Sequence, residues 1–539
     1  MRPNRAYGHL RPPAVAQIQD YAARHRMTLT DEQAGEFAPV IAGILRGFDE
    51  IDELPEPPVT LDFHDRDPGR APQPGEDPYN AFIRFCTVKG AADGPLAGVR
   101  AAVKDSIAVA GVPMTNGSRM QPVPVPLEDA VVVERLLAAG ATIIGKTNLE
   151  DMAMGIGEGS AYGAARNPRD PRFGTGGSSS GSAAAVASGA ADIALGADEA
   201  GSIRIPASWS GLVGMKATHG LVPSYGMTYM DHTLDHLGPI TRSVESNARV
   251  LEVIAGEDER DPQWFRGSVP RGSYVAGLDR GVRGMTFGIV QEALAPIGCT
   301  PDVLAAFESA CDALRNAGAT VEVVSVPLWG SAWTIESGVL GFGLRAMIDS
   351  GGAGYGHMGR IDTATMQTAV SQMRTSADDL SLMTRLLLIA VEHLREAYLG
   401  VHYAKTQNLR LELRRQVEQA LIGVDALLTP TTPTVATELL DRRAGFLEMV
   451  ERLAGSAVLN TCALDLTGHP ALSVPAGTGL HGLPVGLQII GPRLSEANLY
   501  RVAAVVEDAL PLPAATAAGA TQQVADVGGV GRAASAGSL

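Results

Sequence analysis

Cysteine is scarce in this chain: Cys86, Cys299, Cys311 and Cys462 are the only four in 539 residues, and none are closely spaced as metal-binding pairs are. That excludes a disulfide-framed scaffold and reads as free, mostly buried thiols in a reducing cytoplasm. No run of 18 apolar residues occurs, so no membrane-spanning helix and no membrane partner are expected. The opening MRPNRAYGHLRPPAV has no apolar core and does not read as a secretory signal. Positive charge is also short. Against 59 Asp and Glu stand 43 Lys and Arg, and the net charge of −16 argues against nucleic acid as a partner. His232 and His236 lie four apart in DHTLDHLGP with no third ligand in view, so they read as structural histidines, with no metal and no cofactor.

What the chain does have is concentrated in residues 176–206, GGSSSGSAAAVASGAADIALGADEAGSIRIP. Two serine clusters, one at Ser178, Ser179 and Ser180 and the other at Ser202, are joined by a small-residue helix (181–190), an apolar strand (192–195) and a loop of small residues (196–201). A helix followed by a reversing strand returns the chain to where it began, so two serines 24 apart can touch. In the loop, the backbone N–H groups of Glu199, Ala200 and Gly201 can face one concavity. Such a nest holds an oxyanion, and losing one donor typically costs ~10²–10³ in rate. A serine at its lip is an acyl acceptor, but no base lies nearby.

Other readings are weaker. A flexible linker would not run into a small-residue helix and a buried-type SIRIP segment. A phosphate loop would end in Lys followed by Ser or Thr, which is missing. Residues 177–181 also match G-x-S-x-G with Ser179 at the elbow, but that motif needs a strand directly ahead, and NPRDPRFGT (167–175) reads as none.

Residues 177–207 resemble the signature of the amidase signature family, serine hydrolases with a Ser-cisSer-Lys triad. The resemblance implies that Ser202 of GSIRIP is the nucleophile and that Ser178 is the bridging serine on a cis peptide. It also implies that Lys104, in the V-K-D match at 103–105, is the base. Ser180 and Ala200 stand where glycine is usual, and Ala200 fits the oxyanion turn only at negative φ. GVPMTNGSRM, LLAAGATIIGKTN, LDHLGPITRSV and LTGHPALSVPAG resemble the family too, closest to bacterial enantioselective amidases. In the AMGIGEG loop, Met154 and Gly155 match a region whose carbonyls face the substrate in relatives.

The rest of the chain divides by pattern. Residues 1–75 read as a helical segment, with helices over 14–27 and 37–54, the second after an N-cap at Thr30 or Asp31. Such helices could cover a homodimer surface or pack on the core. From residue 96 strands alternate with helices: strands at 99–103, 107–109, 141–144, 211–216, 285–290, 320–326 and 424–428, and a helix at 130–139. The fold class expected is α/β, a large mixed sheet sandwiched by helices. Its core runs over 76–296 and 423–513, with a helix-rich segment at 297–422 (helices at 302–317 and 380–417) that, as the family resemblance implies, packs beside the sheet and shapes the substrate pocket. Residues 514–539 read as disordered.

Chemically, a lysine of ordinary pKa is neutral in only ~0.04% of molecules at pH 7, so a lysine base has to be desolvated. The apolar flanks of Lys104, VRAAV and SIAVAG, could bury it; the bland alternative is a strand-edge lysine reaching water. The expected activity is hydrolysis of a small or aryl-substituted carboxamide in the cytoplasm through an acyl-enzyme. Alternatives keep the triad: a carbamate, urea, anilide or ester hydrolase, or the glutaminase subunit of a tRNA amidotransferase. Asp198 and Arg204, flanking the nucleophile, are expected to pair and fix the loop.

Overall fold

The computed structural model describes residues 10–155, 159–261, 263, 273–294, 298–352, 354–355, 359–440, 445–453 and 457–512. The expected disordered tail therefore lies outside the described residues.

The chain divides into two compact units, 1–61 and 62–539. In the first, α1 (Val15–Arg24) buries Ile18 and Ala22, one turn apart. Helix α2 (Asp31–Glu53) starts earlier than its apolar pattern suggests, because a capping box sets its end. The Thr30 hydroxyl accepts the Gln33 N–H at 3.2 Å, and the Gln33 side chain accepts the Thr30 N–H at 3.0 Å. The unit closes at Leu61 rather than at 75, since residues 66–70 already form a strand of the sheet.

In chain order the strands of the second unit are β1 (Arg66–Arg70), β2 (Phe82–Lys89), β3 (Arg100–Lys104), β4 (Thr142–Thr147), β5 (Arg166–Asn167), β6 (Asp170–Gly174) and β7 (Ile193–Asp198). They continue as β8 (Val213–Lys216), β9 (His236–Thr241), β10 (Thr286–Val290), β11 (Thr320–Val324), β12 (Ala426–Pro430), β13 (Ala471–Thr478) and β14 (Pro484–Ile490). Twelve of them make one mixed sheet in the order β1-β2-β4-β3-β7-β9-β8-β13-β14-β12-β10-β11. This is the expected α/β architecture.

Helices cover both faces. Between β3 and β9 the chain supplies α3 (Val131–Ala138), α4 (Ser180–Ala187) and α5 (Arg204–Ser210), and after β9 comes α6 (Val244–Ile254). The helix-rich segment contributes α7 (Pro301–Asn316), α8 (Ala332–Asp349), α9 (Thr363–Thr375), α10 (Leu382–Tyr398) and α11 (Val401–Ala420); the end of the chain adds α12 (Phe446–Leu453), α13 (Cys462–Thr467) and α14 (Glu496–Ala509). One face of the sheet joins Val103, Leu195, Leu472 and Leu487 to α3, α6, α7 and α14 in the main core. On the other face, Ala102, Ala194 and Ile240 pack against Ala183, Ala184 and Val186 of α4. The pleat's alternation therefore puts Lys104, two on from Ala102, and Asp198, four on from Ala194, on the α4 side.

Three local expectations are corrected. Residues 107–109 make a single bridge, Ile107 to Met227, and no strand. The helix expected over 380–417 is two, because Leu399 (φ 59°) and Gly400 (φ 71°) turn the backbone left-handed between α10 and α11. Residues 166–174 form the β5–β6 hairpin, so a strand does precede the serine cluster. Ser179 is still no nucleophile elbow. Its hydroxyl is buried against β7, donating to the Ala197 carbonyl at 3.2 Å and accepting the Ala197 N–H at 3.3 Å. A Cβ on Gly196 would come within 2.8 Å of that hydroxyl, so the strand has to be bare there.

Candidate active site

β3 and β7 are parallel neighbours, and their carboxyl ends carry the groups the sequence singles out. Lys104 is the last residue of β3. Ser178 sits two residues ahead of α4, after a Gly177–Ser178 peptide that is cis, as the resemblance implies. Ser202 lies in the turn between β7 and α5, and its carbonyl accepts the Ser179 N–H at 3.2 Å, tying the two serine segments together. The three side chains meet. Lys104 Nζ donates to Ser178 Oγ at 2.9 Å, and Ser178 Oγ donates to Ser202 Oγ at 3.1 Å. Hydroxyl protons rotate, so the same line of heavy atoms can carry a proton in either direction.

The cluster is sealed: Lys104 and Ser178 are 0% exposed and Ser202 7%. Burial drives the Lys104 amine below the ordinary lysine range, opposed by the charges of Glu199, Glu150, Asp198 and Asp235. Lys104 is not a strand-edge lysine reaching water. Burial pushes the Glu199 carboxyl up, opposed first by Lys104.

The turn before Ser202 is pinned at several points. Asp198 Oδ1 accepts the Gly201 N–H at 2.5 Å and Oδ2 the Ile203 N–H at 3.1 Å, while Thr461 Oγ1 donates to the Ala200 carbonyl at 2.6 Å. The first of these bonds corrects the expected oxyanion set, because the N–H of Gly201 is engaged by a carboxylate. Glu199, Ala200 and Ser202 keep N–H groups with no acceptor among the described residues. Gly201 has φ +124°, which needs glycine, whereas Ala200 is not among the positive-φ residues and so meets its condition.

Asp198 and Arg204 pair as expected, through bonds of 2.9 and 3.0 Å. Burial pushes the Asp198 carboxyl up, but the Arg204 charge and hydrogen bonds outweigh it and hold it down at about 2. The sequence reading missed the rest of this network. Arg204 also donates to Asp465 Oδ2 at 2.6 Å and to Gln488 Oε1 and the Thr461 carbonyl, each at 2.9 Å. These partners come from β14 and from the start of α13, more than 250 residues on, and no local pattern marks them. Asp105, next to Lys104, is likewise tied down, by Lys146 at 2.8 Å and by the Thr115 hydroxyl at 2.6 Å.

Met154 and Ala200 pack against the same core cluster. Gly155 adjoins 156–158, which lie outside the described residues. Among the described residues no group of His, Cys, Asp and Glu is placed to hold a metal, the four cysteines are free, and no helix is long and apolar enough to cross a membrane.

Residues 86–500 match the family described as Amidase. A glutamyl-tRNA(Gln) amidotransferase subunit from Halobacterium salinarum is 38% identical over 436 residues, covering 79% of this chain and 99% of its own. The crystal structure of the subunit of that name from Thermotoga maritima superposes with a TM-score of 0.67 at 30% identity, covering 81% of this chain and 89% of that one. Native peptide amidase from Stenotrophomonas maltophilia superposes with a TM-score of 0.65 at 32% identity, covering 79% and 85%.

Proposed function

The chain belongs to the amidase signature family, and from that premise we propose that it cleaves a carboxamide through an acyl-enzyme on Ser202. Neutral Lys104 draws the Ser202 proton through the Ser178 hydroxyl as Ser202 attacks the carbonyl. The N–H groups of Glu199, Ala200 and Ser202 hold the oxyanion, while Gly201 serves the shape of the turn. The relay returns the proton to the departing nitrogen, and water then frees the acid. The observation that carries this reading is the unbroken hydrogen-bonded line from a sealed amine through one hydroxyl to another. A fluorophosphonate probe tests it: labelling is expected at Ser202 and lost in Lys104→Ala. A Lys104→Ala protein that kept most of its labelling and amide turnover would overturn it.

Two finer readings share this chemistry. In the first, the chain is a self-contained hydrolase of small or aryl-substituted carboxamides; its support is the helical unit 1–61, which lies ahead of the family match at 86–500, and the likeness to peptide amidase. In the second it supplies ammonia as the glutamine-cleaving member of a larger enzyme, and the curated relatives, named as subunits of a tRNA amidotransferase, favour this one. A partner-free, small-molecule-only arrangement does not fit the second reading. With a net charge of −16, the tRNA contacts would then fall to a partner chain. Glutamine and an anilide, each assayed on the purified chain alone, separate the two: anilide turnover supports the first, and glutamine turnover that rises with a co-expressed partner supports the second.

A further inference from the structure

A cavity of about 140 Å³ lies in the second unit, and none of Lys104, Ser178, Ser202 or residues 199–201 lines it. Its floor is the core segment around Met114, Asn116 and Tyr229, and its roof is α9. Helix α9 contributes Met366, Ala369 and Met373, spaced at i, i+3 and i+7 so that one stripe faces inward. Hydrogen bonds hold the helix down: at the cavity wall the Gln372 side chain donates to the Met120 carbonyl at 3.2 Å, and at the helix end the Thr375 and Ser376 hydroxyls donate to the Gln121 carbonyl at 3.1 and 3.0 Å.

Size and lining define the guest. A cavity of roughly 150 Å³ lined by apolar side chains stays dry and takes benzene. Methionines suit an aromatic guest, since thioethers adapt their shape and make favourable contacts at ring edges. Most polar groups on the wall are already occupied: Arg360 Nη2 donates to Glu128 Oε1 at 2.7 Å, and the Tyr225 hydroxyl to Glu128 Oε2 at 2.7 Å. Two are not. Asn116 Oδ1 and the Tyr229 hydroxyl are buried with no hydrogen-bond partner among the described residues. A buried polar atom left without a partner is costly, and a ligand that supplies the missing bond relieves that cost. The Tyr229 phenol is held in its protonated form by burial, so it can donate.

We propose that this cavity is a second binding site, separate from the Ser202 centre, for a neutral single-ring aromatic carrying one hydroxyl or amino group. The ring fills the methionine-lined space. The substituent donates to Asn116 Oδ1 or accepts from Tyr229, whichever it reaches.

Calorimetric titration of the full-length chain with phenol and with toluene tests this. Wild type is expected to bind phenol 1:1 and at least tenfold more tightly than toluene. Tyr229→Phe and Asn116→Ala each test one polar wall group. At least one of them should weaken phenol tenfold or more, with toluene changed less than threefold. Ala369→Trp should fill the space and abolish binding of both; Met373→Trp serves the same purpose if the first variant does not fold. Phenol binding that survives both filled variants, equal affinity for phenol and toluene, or no binding of either at millimolar concentration would overturn the proposal.

Discussion

Asp198 and Arg204, six residues apart and both sealed from solvent, grip each other through two hydrogen bonds, and Asp198 turns its remaining capacity onto the N–H groups of Gly201 and Ile203. The nucleophile turn is therefore built around a buried ion pair. Removing one partner of such a pair strands a charge in the interior. Arg204→Met is expected to destabilise the protein by about 3–5 kcal/mol, read as a shift of the urea unfolding midpoint. Asp198→Asn should lower kcat more than it raises KM, because it loosens the turn without removing Ser202.

Gly201→Ala strains the same turn from the opposite side. A side chain there would have to hold φ +124°, and its Cβ would clash with the Thr461 hydroxyl. Backbone strain of this kind costs on the order of 1–3 kcal/mol. Fluorophosphonate labelling of Ser202 should slow at least tenfold while far-ultraviolet circular dichroism stays native.

The pH dependence of turnover follows from Lys104. The protonated amine cannot take the serine proton, so kcat/KM should rise with pH through the Lys104 midpoint. Burial sets that midpoint below the ordinary lysine range. The Glu199 charge opposes this by favouring the ammonium form, so Glu199→Gln should move the rising limb to lower pH. A pH–rate profile of both proteins checks the sign.

Much of this site was legible in the sequence because its defining groups are close in the chain or stand in a fixed motif. Ser178 and Ser202 are bracketed by a helix and strand of the expected kind, and Lys104 sits in its V-K-D match. What escaped notice depends on distant chain. Gly201 looked like an oxyanion donor because nothing local says that Asp198 takes its N–H. Asp465, Gln488 and Thr461 reach Arg204 from across the sheet. The break at Leu399 was hidden since leucine is a strong helix former and seldom turns left-handed. Residues 66–70, RDPGR, carry no strand signal; pairing with β2 makes them one.

Lys216 offers a test of stability rather than activity. Fully buried, with its amine 3.3 Å from His236 Nε2, it is brought down to about 7 by desolvation. Between about 7 and the ordinary lysine value near ~10.4 the unfolded chain holds more protons than the folded one, so stability rises with pH across that window. Below it both states are protonated and the dependence ends. Urea midpoints from pH 7 to 10 should climb more steeply in wild type than in Lys216→Met.

The two rims of the twelve-stranded sheet are guarded unequally. At β1 the sequence RDPGR supplies a proline, a glycine and charges, and its register against β2 is irregular, all of which discourage a foreign strand from adding on. At β11 the sequence TVEVV runs in regular register beside β10, and Val323 is 64% exposed. When the protein is heated or concentrated, aggregation should begin at that β11 rim, and a lysine in place of Val323 is the simplest way to keep it in solution.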